Sequence, residues 1–138
     1  MLNEKNIRGL RLKLRELSAS HTVGVEEGGT MFMLQNTGGA YTITLPLIAA
    51  AGSGWQCSFM VDGATMGGEV NILDNPSDSA GRIAWIQHST NDGANDLGAE
   101  DVSFLTAATR GTLITVFTDG TFWYAHGKGG VDNSFGTA

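Results

Sequence analysis

Apolar and polar residues alternate with a period of two along most of the chain after residue 20. In AYTITLP, the side chains of Tyr41, Ile43 and Leu45 share one face and the threonines share the other. In WQCSFMVD, four apolar side chains share a face: Trp55, Cys57, Phe59 and Val61. A period of two is typical of half-buried strands. Both segments therefore predict strands that each place one face in a core.

Similar segments recur at short intervals and predict further strands, at 20–25, 30–36, 68–74, 81–88, 100–106, 111–119 and 121–126. Turn-forming residues separate them, most clearly Asp119-Gly120, so GTLITVFTDGTFWYAH predicts a tight hairpin. The segments 47–54 and 88–101 have the composition of surface loops. The pattern predicts an all-β fold, a compact sandwich or barrel of about eight short antiparallel strands.

The segment GLRLKLREL, residues 9–17, supports two interpretations. Ile7, Leu10, Leu14 and Leu17 have helical spacing, whereas Leu12 fits only the alternation of a strand. We expect a strand over 10–15 and a helix or irregular structure over 3–8. On that strand, three leucines share one face and three basic residues share the other: Leu10, Leu12 and Leu14, and Arg11, Lys13 and Arg15.

Charge divides the chain into a basic start and an acidic remainder. The net charge of the whole chain is -6. Residues 1–16 carry five basic and two acidic side chains, a net +3, and the remaining residues carry three basic and twelve acidic ones, a net -9. This asymmetry predicts an N-terminal basic arm (1–19), a β body (20–127) and a C-terminal tail (128–138). The tail is either a flexible polar segment or a second tether.

The opposite charges of arm and body leave two interpretations of the arm. It docks on an acidic partner surface, for example by adding a strand to a sheet edge, or it folds back on its own body. The acidic balance, with a pI of about 4.8, argues against nucleic acid as the main partner. No apolar run has the length of a membrane span.

The search for chemistry predicts no enzyme and no catalytic, cofactor-binding or metal site. His21, His88 and His126 are far apart and have no metal-ligand spacing. Cys57 lies on the apolar face of a predicted strand, where a buried inert thiol is expected. The acidic segment 91–101 does not have the spacing of a calcium loop, so we expect a solvated loop there.

Three consecutive aromatic residues, Phe122, Trp123 and Tyr124, must point to alternating faces of one strand. At least one of them therefore faces away from the core unless both faces are covered. An outward aromatic side chain can stack on a sugar or pack against another subunit. We favour the subunit contact and treat all three residues as candidates for it.

Two runs of the sequence resemble a known family. HTVGVEEGGTMFMLQNTGGAYTITLPLIAAAGSGWQCSFMV is similar to the first half of the body in the head-decoration, or capsid cement, proteins of tailed bacteriophages. GTLITVFTDGTFWYAHG is similar to the terminal hairpin of the same family. The resemblance covers roughly residues 20–127, although 62–101 and the basic arm match no pattern of the family.

The resemblance implies a structural role on the outer surface of the capsid, after synthesis in the host cytoplasm. Proteins of this kind are commonly homotrimers that cement neighbouring major capsid subunits against the pressure of packaged DNA. They use no cofactor, nucleic acid or membrane. In this chain Leu10, Leu12 and Leu14 would bury against the capsid protein, and Arg11, Lys13 and Arg15 would face its acids or solvent. The alternative is a tail or fibre component, or a carbohydrate-binding module, on the virion surface.

Overall fold

The computed structural model describes residues 12–35, 38–79, 82–88, 96–129 and 134–137. These residues form twelve strands, one short helix and one 3-10 turn (Val25–Glu27). The helix is α1 (Ile48–Ala51), within the segment predicted as a surface loop. The strands are β1 (Lys13–Leu17), β2 (His21–Thr22), β3 (Thr30–Leu34), β4 (Tyr41–Thr44), β5 (Gln56–Val61), β6 (Val70–Leu73), β7 (Ile83–His88), β8 (Asp96–Ala99), β9 (Asp101–Phe104), β10 (Leu113–Thr118), β11 (Trp123–Lys128) and β12 (Phe135–Thr137).

The strands form two mixed sheets. One has the order β1-β3-β5-β10-β11-β7-β8, and the other has the order β12-β9-β6-β4-β2. The all-β prediction is confirmed, but the expected set of about eight antiparallel strands is corrected to twelve strands with several parallel pairs. Alternation could not show this, because it reports which face of a strand is buried and not the direction of its neighbour.

The first six strands wind like a short parallel solenoid. Successive strands alternate between the two sheets, and the pairs β1–β3, β3–β5, β2–β4 and β4–β6 are all parallel. This register places Leu34 between Leu17 and Val61. Phe32 lies beside Phe59, with the two rings stacked at 5.3 Å. Leu34 follows Leu17 by 17 residues but precedes Val61 by 27, so unequal turns leave no recognisable sequence repeat.

The second half of the chain closes this winding mostly with antiparallel pairs, the exception being β7, which lies parallel to β11. β10 lies antiparallel to β5, and the predicted hairpin of β10 and β11 is confirmed. Its connection has four residues, 119–122, instead of two. The Asp119 carboxylate accepts hydrogen bonds from the Thr121 and Phe122 amides, and Gly120 has a φ of +94° that favours glycine.

Two segments expected to lack strands contribute them. β8 lies within the predicted loop 88–101, of which 89–95 are outside the described residues, and β12 lies within the predicted tail. β12 pairs antiparallel with β9, and Phe135 packs against Trp85 and Phe104 at ring distances of 5.3 and 6.0 Å. A three-residue strand is too short to show periodicity, so tertiary packing determines it.

One core lies between the sheets. The predicted inward residues Tyr41, Ile43, Phe59 and Val61 are buried, which confirms the two faces read from alternation. Trp55 is partly buried against this core, and its indole N–H donates to the Val25 carbonyl at 2.8 Å. Because both sheets contribute to the same core, the described residues form one two-layer unit.

We predict that the Phe135→Ala variant loses about 3–5 kcal/mol of unfolding free energy, because a buried ring between two aromatic side chains is replaced by a cavity. Urea unfolding measures this loss. The matched control is Phe122→Ala, since Phe122 is 40% exposed and its loss should cost about 1 kcal/mol or less. Equal effects of the two substitutions would show that the tail does not pack as a core strand.

Candidate binding surface

The first strand gives the seven-stranded sheet an open edge. β1 pairs with β3 on one side and with no other described strand. Leu17 is buried, whereas Leu12 and Leu14 are each 63% exposed. An edge strand offers unpaired N–H and C=O groups to another strand, and here two exposed leucines accompany them.

The structure answers part of the question whether the arm is a strand and whether it folds on its own body. The predicted strand is confirmed at 13–15 and extends to Leu17, and this segment belongs to a sheet of its own body. Lys13 and Arg15 lie on the face opposite to Leu14. Leu10, Arg11 and the segment 3–8 lie outside the described residues.

A group of polar side chains, here called the Glu27 clamp, fastens β1 to the body. Arg15 forms an ion pair with one carboxylate oxygen of Glu27. The other oxygen lies 2.8 Å from His21 Nε2 and accepts a hydrogen bond from the Gly24 N–H at 3.0 Å. The His21 ring packs on Phe32 with a centroid distance of 5.9 Å. The clamp therefore covers the end of the aromatic ladder with polar groups, as the terminal turn of a solenoid requires.

The electrostatics of the clamp favour an ionised Glu27. Partial burial alone raises the pKa of this carboxyl group, but hydrogen bonds from Gly24, His21 and Arg15 outweigh burial. The net result is a pKa below the ordinary value of 4.5. Sequence reasoning missed this role, because Arg15, His21 and Glu27 meet only through the parallel winding.

A recess of about 230 Å³ lies beside the open edge. Its lining includes Leu12, Met31, Gln56 and Ser58. These residues come from the start of β1 and from the outward positions of β3 and β5. The exposed leucines therefore stand next to a hollow with the dimensions of a side chain.

The three consecutive aromatic residues have three different surroundings. Trp123 is fully buried in the core of its own chain, in edge contact with Trp55 at 5.6 Å. Tyr124 lies on the outside of the sheet and stacks on Phe117 at 5.2 Å. Phe122 lies in the hairpin connection with the Arg82 guanidinium 5.4 Å from its ring. The surface residues of this group are therefore Phe122 and Tyr124.

Phe117 was not singled out from the sequence, although it is 41% exposed and forms an aromatic pair with Tyr124. The signal was present in LITVFT, where Ile114 and Val116 occupy the buried face and Phe117 falls on the other. His126 lies beside the same pair, 6.2 Å from the Phe117 ring. These three rings form an aromatic cluster on the outside of the sheet.

Cysteine, histidine and acidic side chains were the candidates for catalysis or metal binding. Cys57 is buried as predicted, and burial raises the pKa of its thiol. Searched over the described residues alone, the chain has no group of three or more His, Cys, Asp or Glu side chains placed to hold a metal ion. In the same residues, no helix has the length and apolar character needed to cross a membrane.

An acidic recess lies at the other side of the molecule and includes Asp74, Asp78, Glu100 and Asp101. Burial, with the neighbouring Glu100 and Asp78 carboxylates, raises the pKa of Asp74. Its carboxylate accepts a hydrogen bond from the Arg82 amide at 3.3 Å. That of Asp78 accepts one from the Ile48 amide at 3.1 Å, at the start of α1. Both carboxylates therefore help to hold the loops around them.

Comparison of the chain with models of known protein families and with curated proteins finds no match.

We predict that Glu27→Gln lowers the unfolding free energy at pH 7 by about 1–3 kcal/mol, because hydrogen bonds to a charged acceptor are lost. The lowered pKa means that ionised Glu27 stabilises the fold above pH 4.5 and that this contribution disappears as the pH falls through the folded-state pKa. The difference between wild type and variant should therefore shrink between about pH 5 and pH 3.

Urea unfolding across this pH range measures the effect. Glu26→Gln is the control, because Glu26 is an exposed neighbour in the same turn, and it should change stability by less than about 0.5 kcal/mol. A Glu27→Gln variant whose stability runs parallel to wild type at every pH would contradict the role of the clamp.

Proposed function

We propose that this chain is a non-enzymatic structural protein of a tailed-phage virion that binds the outside of the head and cements neighbouring major capsid subunits. The observation that carries the proposal is the open edge of β1, with Leu12 and Leu14 each 63% exposed beside it. The resemblance of residues 20–127 to capsid cement proteins supplies the class of partner.

The open edge suits β-strand addition. An extended segment of a capsid subunit can pair with the free N–H and C=O groups of β1, which gives affinity through main-chain hydrogen bonds. Leu12 and Leu14 then bury against that segment, and one of its side chains enters the recess lined by Met31, Gln56 and Ser58. Exposed Lys13 favours an acidic partner surface, because it adds positive charge at this edge.

Each such contact is modest, and repetition makes it effective. Burying two leucines contributes about 1.5–3 kcal/mol each, before the cost of ordering the partner segment. A homotrimer carries three edges and can engage several capsid subunits at once, so its avidity exceeds the affinity of one edge. The rigid body transmits load between the subunits that it bridges. This role requires no cofactor, nucleic acid or membrane.

A second candidate function is a tail or fibre component that binds host carbohydrate. The stacked pair Phe117–Tyr124 and the exposed Phe122 favour it, since exposed aromatic rings stack on sugar faces. Glycan-array binding that Tyr124→Ala abolishes would select this function over capsid cementing.

We predict that the double variant Leu12→Asp/Leu14→Asp binds heads at least tenfold more weakly than wild type. Two charges would be placed where the edge has to bury leucine side chains against the partner. The assay uses heads assembled from the major capsid protein encoded in the same genome, with occupancy measured by sedimentation of the heads.

The matched control is Leu47→Asp, because Leu47 is an exposed leucine, at 39%, outside the edge. It should bind as wild type does. Circular dichroism checks that both variants fold. If the double variant occupies heads as fully as wild type, or if wild type does not bind heads at all, the proposal is wrong.

A further inference from the structure

The outward faces of the two sheets differ in chemistry. On the five-stranded sheet, the outward side chains include the partly exposed Thr42, Thr44 and Asn71, and Asn71 accepts a hydrogen bond from the buried Ser103 hydroxyl at 2.7 Å. On the seven-stranded sheet, the outward side chains away from the recess beside Leu12 include the partly exposed Met33, Met60, Leu113 and Ile86 and the exposed Phe117, together with the polar Thr115 and His126. A sheet that faces water on one side normally carries polar residues there, as the five-stranded sheet does. The outward face of the seven-stranded sheet therefore does not have the polar composition expected of a face that contacts only water.

Strand register arranges part of this apolar face into a straight line. Glu16 pairs with Met33, Met33 with Met60, Met60 with Leu113 and Leu113 with Lys128. We call this line the methionine row. It crosses five neighbouring strands, and its apolar centre has an acid at one end and a base at the other.

The two end residues of the row, Glu16 and Lys128, differ from the rest of this face because they are charged. Among the outward positions of the described strands β1, β3, β5, β10 and β11, only Glu16 and Lys128 carry a full charge at neutral pH. Both side chains are exposed. Four strand spacings of about 4.8 Å separate them by roughly 19 Å, too far for an ion pair within one chain.

We propose that the methionine row is a contact between copies of this chain, in which Glu16 of one copy lies against Lys128 of the next. Rotation about a twofold axis that lies in the plane of the contact and runs parallel to the strands turns one sheet to face the other and reverses the order of its strands. The Glu16 end of one row then meets the Lys128 end of its neighbour, and the methionines and Leu113 pack between them.

The same end-to-end relation holds around a threefold axis, where the Glu16 side of each sheet packs against the Lys128 side of the next copy. The opposite charges at its two ends make the row complementary to itself, which favours a second copy of this chain as the occupant of the face.

The face offers somewhat less area than a standard interface. Seven strands spaced by about 4.8 Å and about 20 Å long present roughly 600 Å² before side-chain relief is counted, against the about 800 Å² per partner of a standard interface. We therefore expect this contact to be weaker than that of an obligate oligomer. Methionines suit this position, because their flexible side chains adapt to an opposing surface.

This inference names the contact that holds the proposed homotrimer together. The number three rests on the proposed function, whereas the face and the charge pairing rest on the register of the strands alone.

The test is sedimentation equilibrium of the full chain, four variants of the row and one control variant over a range of concentrations. Wild type should be a trimer. Glu16→Lys and Lys128→Glu should each weaken association at least tenfold, because like charges then meet, and the double variant Glu16→Lys/Lys128→Glu should regain association to within about threefold. Met60→Lys should give monomers, because it places a charge in the centre of the row.

Glu69→Lys is the control, since Glu69 is exposed next to β6 in the other sheet, and it should associate as wild type does. Circular dichroism confirms folding of each variant. A monomeric wild type at about 0.1 mM, or a double variant no better associated than the single ones, would overturn the inference. A dimer with the same charge-swap behaviour would support the contact and contradict the trimer of the proposed function.

Discussion

Parallel stacking of apolar side chains in register is the constraint on which the rest of this molecule depends. Leu17, Leu34 and Val61 follow one another across β1, β3 and β5, and Phe32 stacks on Phe59. Burial of these side chains drives the first six strands to wind between two sheets. Among the described strands β1 is the first turn of this winding, so the order of these strands leaves β1 at the edge of its sheet.

The exposed surfaces of the molecule differ in chemistry. The Glu27 clamp covers the end of the aromatic ladder with a hydrogen-bonded ion pair, and the five-stranded sheet presents hydroxyl and amide groups to water. The edge of β1 and the outside of the seven-stranded sheet keep Leu12, Leu14 and Phe117 exposed and leave Met33 and Met60 partly exposed. Contiguous exposed apolar patches mark interaction surfaces. We propose that the edge binds another protein and that the face binds copies of this chain.

Sequence reasoning predicted those features that depend on neighbouring residues. Alternation placed Ile43 and Phe59 in the core, and Asp119-Gly120 identified the hairpin. Features that join distant segments could not be predicted: Phe135 in the core, Glu27 between Arg15 and His21, and the line of Met33, Met60 and Leu113. Alternation assigns each methionine to an outward face, but only the register of three strands shows that they are adjacent. For the arm, the strand expected over 10–15 is correct at 13–15, but β1 continues to Leu17.

Hydrogen–deuterium exchange of the 12–17 segment, in the free protein and on heads, tests the central claim that β1 is an open edge filled by a capsid subunit. In the free protein these amides should exchange faster than those of Thr30–Leu34, which have strands on both sides. On heads, the 12–17 amides should gain at least tenfold protection. Exchange that is already slow in the free protein, or that is unchanged on heads, would contradict the account.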